Sequence, residues 1–118
     1  MAAQITGLGK TTVPAAGTPV PVAIPSSVAG PATPGENSVH AILIQALAGN
    51  SGKVYVGGPG LNKSTLANCF VVLPVPTSNL IPTFSISVTA AANALSLQDL
   101  YIDVDVNGEG VLVSVVVV

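Results

Sequence analysis

The chain has 118 residues, of which only 7% are charged, with three lysines, no arginine and a net charge of −2. An average soluble protein carries about 25% charged residues, and neutralising nucleic-acid phosphates takes several Lys or Arg on one face. Lys10, Lys53 and Lys63 are scattered, so nucleic-acid binding is not expected.

The length suits one domain, with roughly two-thirds of the unfolded surface buried on folding. A hydrophobic fraction of 49% raises the question of a membrane span. Residues 64–98 are uncharged, but Pro74, Pro76 and Pro82 interrupt them, so the ~20 apolar residues of a spanning helix are missing. The Met1-Ala2-Ala3 start lacks an apolar signal core, and secretion by that route is not expected. Cys69 is the single cysteine; it reads as a small buried hydrophobe and fits assembly in a reducing cytoplasm.

Residues 1–37 hold six of the ten prolines: Pro14, Pro19, Pro21, Pro25, Pro31 and Pro34. They read as an N-terminal arm or edge segment ahead of a β-domain over residues 38–118. Pro19 and Pro21 exclude the stretch around Val20 and Val22 from a central strand, because proline cannot donate to a ladder. Pro19, Val20, Pro21 and Val22 are therefore candidates either to cover the chain's own sheet or to reach a neighbouring subunit.

Residues 38–47 (SVHAILIQAL) are apolar at both parities, as expected of a strand buried on both faces. Gly49-Asn50-Ser51-Gly52 then predicts a turn, with residues 53–57 (KVYVG) returning as the second arm of a hairpin. Gly57-Gly58-Pro59-Gly60 breaks the pattern. Further strands are expected over residues 66–73 and 84–89, separated by a proline-marked loop at 74–82. Residues 90–97 suit either a short helical turn or a strand. Residues 99–106 and 110–118 read as a closing hairpin across Asn107-Gly108, a favoured two-residue turn.

That hairpin would pair Val104 with Val111, Ile102 with Val113 and Leu100 with Val115 on one apolar face. Tyr101, Asp103 and Asp105 would share the other face with Leu112, Ser114 and Val116. The terminal run Val111-Leu112-Val113-Ser114-Val115-Val116-Val117-Val118 is uncharged on both faces. Leu112, Val116 and Val118 are thus candidate subunit contacts, since such a strand needs a cover. About eight short strands with almost no helix predict an all-β fold. It would be an antiparallel β-sandwich, jelly roll or small barrel with an extended Pro-rich arm.

Motifs that suggest chemistry fail on inspection. Gly7-Leu8-Gly9-Lys10-Thr11-Thr12 resembles the end of a phosphate-binding loop, but Gln4 stands where its first glycine belongs. In Gly57-Gly58-Pro59-Gly60-Leu61-Asn62-Lys63-Ser64, Asn62 replaces the glycine before the lysine, and no helix is expected after either loop. Asp103-x-Asp105-x-Asn107-Gly108 matches the first six positions of a calcium loop, yet Ser114 occupies the twelfth, where a bidentate Glu is needed. Glu109 is the one further oxygen ligand nearby. His40 is the sole histidine and would have to serve any catalytic constellation with Cys69 or a serine. His40 and Cys69 together also fall short of a zinc set. Neither enzymatic activity nor a metal or other cofactor is expected.

Two segments carry a resemblance. Ile42-Leu43-Ile44-Gln45-Ala46-Leu47-Ala48-Gly49-Asn50-Ser51-Gly52-Lys53-Val54-Tyr55-Val56-Gly57-Gly58 resembles a strand–turn–strand unit of small virion proteins of tailed bacteriophages. The stretch from Leu97 through Asp99, Tyr101, Asp103, Asp105, Asn107 and Glu109 to Val111 is similar to the closing part of such proteins. The resemblance spans roughly half of the chain and implies an all-β structural virion component. The leading role is capsid decoration (cement) on the capsid exterior, as a homo-oligomer with a trimer favoured. The partners implied are copies of the chain and the major capsid protein or another virion protein. A head-fibre, tail or baseplate subunit is a variant of this expectation. A carbohydrate-binding β-sandwich is the alternative of another class, weakened by two Tyr, two Phe and no Trp.

Overall fold

The computed structural model describes residues 4–22, 39–87 and 100–117. Its strands, in chain order, are β1 (Gln4–Thr12), β2 (Val20–Pro21), β3 (Val39–Ala46), β4 (Val54–Asn62), β5 (Ala67–Leu73), β6 (Thr83–Ser87), β7 (Tyr101–Val104) and β8 (Gly110–Val117). They form two four-stranded antiparallel sheets with the orders β1-β8-β3-β6 and β2-β7-β4-β5. The all-β expectation holds, and the sheets share one core in a sandwich-like arrangement. The ambiguous residues 90–97 lie outside the described residues, as do the Pro-rich residues 23–38.

The core follows from strand alternation. Ile42, Ile44 and Ala46 of β3 and Val111, Val113 and Val115 of β8 point inward from one sheet. Val54, Val56, Leu73, Ile102 and Val104 meet them from the other, with Val13, Val22 and Leu100 closing the margins. Most of these residues are β-branched, which suits a pleated, packed surface. Val13 and Val22 belong to the core, so residues 4–22 are built into the same body as the rest of the chain.

Both expected hairpins are corrected. β7 pairs with β4 and β2, whereas β8 pairs with β1 and β3, so the Asn107-Gly108 segment carries the chain from one sheet to the other. β3 and β4 are likewise in different sheets, joined by residues 47–53. The paired strand of β4 is β5, and β4 runs on through Gly57-Gly58-Pro59-Gly60 with register shifts instead of stopping at Gly57. Residues 38–47 were expected to be covered on both faces, but Leu43 remains 44% exposed.

The cause lies in the partners available to the turn. Val13 N–H donates to Glu109 O (2.9 Å) and Gly108 N–H donates to Val13 O (2.7 Å), so the end of β1 takes the place beside β8 that β7 would have filled. Thr11 and Thr12 pack so closely on Gly110 that a Cβ there would overlap the Thr11 carbonyl oxygen. Alternation alone cannot separate the two solutions. Val104 and Val111 face the same interior whether they are ladder neighbours or meet across the core.

Four connections meet at one end of the sandwich. Ala16 N–H donates to Asn107 Oδ1 (2.8 Å), joining residues 13–19 to the 105–109 crossing. Asn50 Nδ2 donates to Gly110 O (2.8 Å), and Ser51 N–H and Gly52 N–H donate to the Glu109 carboxylate. Ala46 N–H donates to Pro82 O (3.0 Å), which brings in the proline-marked loop.

Candidate functional site

The outer face of the β1-β8-β3-β6 sheet is the chain's most distinctive surface. Register places Ile5, Val116 and Ala41 in one row, Gly7, Ser114, Leu43 and Ser85 in the next, and Lys10, Leu112, Gln45 and Thr83 in a third. Lys10 is the one charged side chain in these three rows. Ile5 is 82% exposed and Leu112 40% exposed. Between the first two rows lies a cavity of about 180 Å³ lined by Ile5, Ala41, Leu43, Ser85, Ser114 and Val116, with Ile42 and Val115 at its base.

This face arises because β8 has no polar alternation. Its inward residues saturate the core, and its outward residues Leu112 and Val116 find no second layer among the described residues. A covered sheet face of this composition gains roughly 25 cal/mol per Å² of apolar area removed from water. The same area left open promotes association.

The opposite sheet presents a different surface. Tyr55 lies opposite Asp103 and Tyr101 opposite Gly57, with Pro21 beside Tyr101. Asp103 is only 1% exposed, because residues 14–19 fold over it and Gly17 N–H donates to its Oδ1 (2.9 Å), as does Val104 N–H (2.8 Å). Asp105 accepts from Tyr55 Oη (3.3 Å) and from Lys63 Nζ (3.4 Å), and Lys63 also donates to Val104 O (2.7 Å). Burial, then the neighbouring Asp105 carboxylate, push the Tyr55 hydroxyl above its ordinary pKa.

Asp103, Asp105, Asn107 and Glu109 thus address four separate sets of protein donors. Asn107 Oδ1 serves Ala16 N–H, and Glu109 accepts from Ser51 N–H (2.7 Å), Ser51 Oγ (2.9 Å) and Gly52 N–H (2.9 Å). Desolvation raises the Glu109 pKa, but these three bonds together outweigh it and hold the carboxyl below its ordinary value. The acidic residues do not share a face with Leu112, Ser114 and Val116, contrary to the hairpin expectation; they belong to the other sheet and to the crossing.

Of the candidate contact residues, Leu112 and Val116 lie together on this nearly uncharged face, and Val118 lies outside the described residues. Pro19, Val20, Pro21 and Val22 are elsewhere. Val20 and Pro21 form the edge strand paired with β7, Pro19 is half-buried ahead of them, and Val22 is buried in the chain's own core. Sequence reasoning missed Ile5, Leu43 and the cavity. Ile5 stands in a Gly-rich stretch with no apolar alternation, and Leu43 was assigned to a doubly covered strand. The side chain of His40 lies outside the described residues. Cys69 is half-buried, its Sγ near Val71 O at 3.5 Å. Among the described residues no group of three or more His, Cys, Asp or Glu could hold a metal ion, and no helix is long and apolar enough to cross a membrane.

No protein-family model, curated protein or solved structure matches the chain.

Proposed function

We propose that the chain is a structural assembly subunit, and specifically a capsid decoration protein that bridges subunits on the exterior of a tailed-phage head. The observation that carries this reading is the nearly uncharged outer face of the β1-β8-β3-β6 sheet, with Ile5, Leu43 and Leu112 exposed on it. Such a face is useful to a subunit covered by neighbours and a liability to one that works alone. The pairing orders β1-β8-β3-β6 and β2-β7-β4-β5, with crossings between sheets at nearly every connection, favour an eight-stranded jelly roll. That architecture recurs in viral capsid proteins, a fold-level analogy and no more.

Assembly through this face is tested by light scattering on the purified chain across the micromolar range, beside Leu112→Lys. A wild-type oligomer that the lysine dissociates supports the reading. A wild-type chain that stays monomeric throughout overturns it. Cryo-electron microscopy of the phage particle that contains the chain tests the location: density on the outer head surface is expected, and density confined to the tail refutes decoration.

A further inference from the structure

The cavity on the nearly uncharged face has a matching projection on the same chain. Phe70 is 56% exposed and Leu66, at the tip between β4 and β5, is 51% exposed. Phe70 is the extra residue of a bulge, because Val56 pairs with Val71 while Gly57 pairs with Cys69. Bulges re-aim side chains, and this one leaves an aromatic ring in solvent. Leu66 adopts φ +62°, a left-handed conformation that branched residues rarely take without a constraint.

The tip is closed by a set of local hydrogen bonds. Asn62 Oδ1 accepts from Ser64 N–H (2.9 Å) and Thr65 N–H (3.2 Å), Thr65 Oγ1 accepts from Ala67 N–H (3.3 Å), and Asn68 Nδ2 donates to Gly60 O (3.3 Å). Cys69 N–H closes the turn onto Leu66 O (3.3 Å). A side chain displayed on a scaffold bonded in this way loses less freedom when it docks.

We infer that Phe70 of one copy, flanked by Leu66, seats in the cavity lined by Ile5, Ala41, Leu43, Ser85, Ser114 and Val116 of a neighbouring copy. Three observations commit the occupant to a second copy. The cavity, open to solvent on one side, measures about 180 Å³, a volume of the order of the ~150 Å³ apolar cavity that accepts benzene, and so of the size a phenyl ring needs. Neither the tip from Ser64 to Leu73 nor the cavity lining carries a charge. Phe70 is exposed and does not line the cavity of its own chain, so among the described residues neither half of the contact has an occupant. Because tip and cavity are different patches, the contact is head-to-tail, and it closes into a ring when the rotation allows.

This inference rests on the assembly reading, and the test separates the two. The full-length chain is compared with Phe70→Ser, which removes the tip, and with Ser114→Phe, which fills the cavity; Leu43→Asp is a second cavity variant should the larger side chain impair folding. Circular dichroism and thermal unfolding establish that each variant is folded. Sedimentation velocity is expected to show self-association weakened roughly 30-fold or more in each variant, as for an interface hot spot. Titrating Phe70→Ser into labelled Ser114→Phe should saturate at 1:1, since one partner keeps the cavity and the other keeps the tip. If both variants self-associate like the wild type, the tip-in-cavity contact is refuted and the assembly reading stands. Weakened variants that fail to bind each other refute it as well, in favour of a face-to-face contact. A wild-type monomer at every concentration overturns both.

Discussion

Asn50→Ala is the substitution that bears most directly on how the chain crosses between sheets. Asn50 is a buried residue of the β3–β4 connection and meets Gly110 at the start of β8 from both sides of the amide. Its Nδ2 donates to Gly110 O at 2.8 Å, a bond of full strength, while Gly110 N–H reaches Asn50 Oδ1 at a longer 3.4 Å. Gly110 O keeps a second donor in Leu47 N–H (3.2 Å), so the carbonyl is not orphaned by the substitution. The Gly110 N–H loses its side-chain acceptor at a buried position. One lost bond costs about 1 kcal/mol and an unsatisfied buried donor about 1–3 kcal/mol more, giving a loss of roughly 2–4 kcal/mol. For a chain of this size that lowers Tm by about 10 °C. The assay is urea unfolding followed by far-UV circular dichroism, at one fixed protein concentration because self-association shifts apparent stability. Asn50→Asp is the sharper companion: it keeps an acceptor for Gly110 N–H but sets a carboxylate against Gly110 O, and should cost at least as much. If Asn50→Ala costs less than about 0.5 kcal/mol, as an ordinary surface change does, the inter-sheet crossing is not held by this pair and the account of the fold fails at that point.

Adjacent residues of β3 should behave oppositely: Ile44→Ala, fully buried, is expected to cost about 2–5 kcal/mol, and Leu43→Ala, on the open face, less than about 1 kcal/mol, both read from urea midpoints. Equal costs would mean that the open face is covered within the subunit. Gly110→Ala should be strongly destabilising or fail to fold, because the new Cβ overlaps the Thr11 carbonyl and lies 2.8 Å from Thr12 Cα; a variant of wild-type stability would refute the close β1–β8 approach. Glu109 has a carboxyl pKa below its ordinary value of 4.5, so its stabilisation is complete above pH 4.5 and is lost as pH falls through the depressed folded value. Unfolding midpoints from pH 7 to pH 3 should therefore show an acid decline that Glu109→Gln flattens, and an unchanged decline in the variant would place the acid sensitivity elsewhere.

The inward and outward sets of the last strand were legible because alternation is a local property. Val111, Val113 and Val115 follow from one another by spacing of two, and Leu112 and Val116 follow by exclusion. Strand partnership was not legible. An Asn-Gly turn between alternating strands encodes a hairpin by local preference, and only distant residues overrule it here. Val13 occupies the ladder position beside the turn, Asn50 meets Gly110 and residues 14–19 cover Asp103. The same blindness hid the cavity. Ile5, Leu43, Ser85 and Val116 come from four strands that become neighbours only once the order β1-β8-β3-β6 is known. The acidic run misled for a related reason, since spacing in sequence could not reveal that its members turn toward separate donors.

The edges of the two sheets are built in ways that oppose main-chain pairing between copies of a chain this poor in charge. β1 is interrupted by a register shift between Gly7 and Gly9 and carries Lys10. β2 is two residues long and includes Pro21, which has no N–H to offer. β5 is bulged at Phe70 and followed by Pro74, and β6 is short and preceded by Pro82. Short strands, bulges, prolines and a lysine are the devices that obstruct edge-to-edge pairing. The nearly uncharged β1-β8-β3-β6 face has only Lys10 to oppose contact in its three rows. Such edges disfavour main-chain ladders, which extend without a natural end, and leave side-chain surfaces, where shape limits the number of partners, as the route for any contact. On the proposed assembly role, a subunit that adds a fixed number of copies to a larger surface would need that bias.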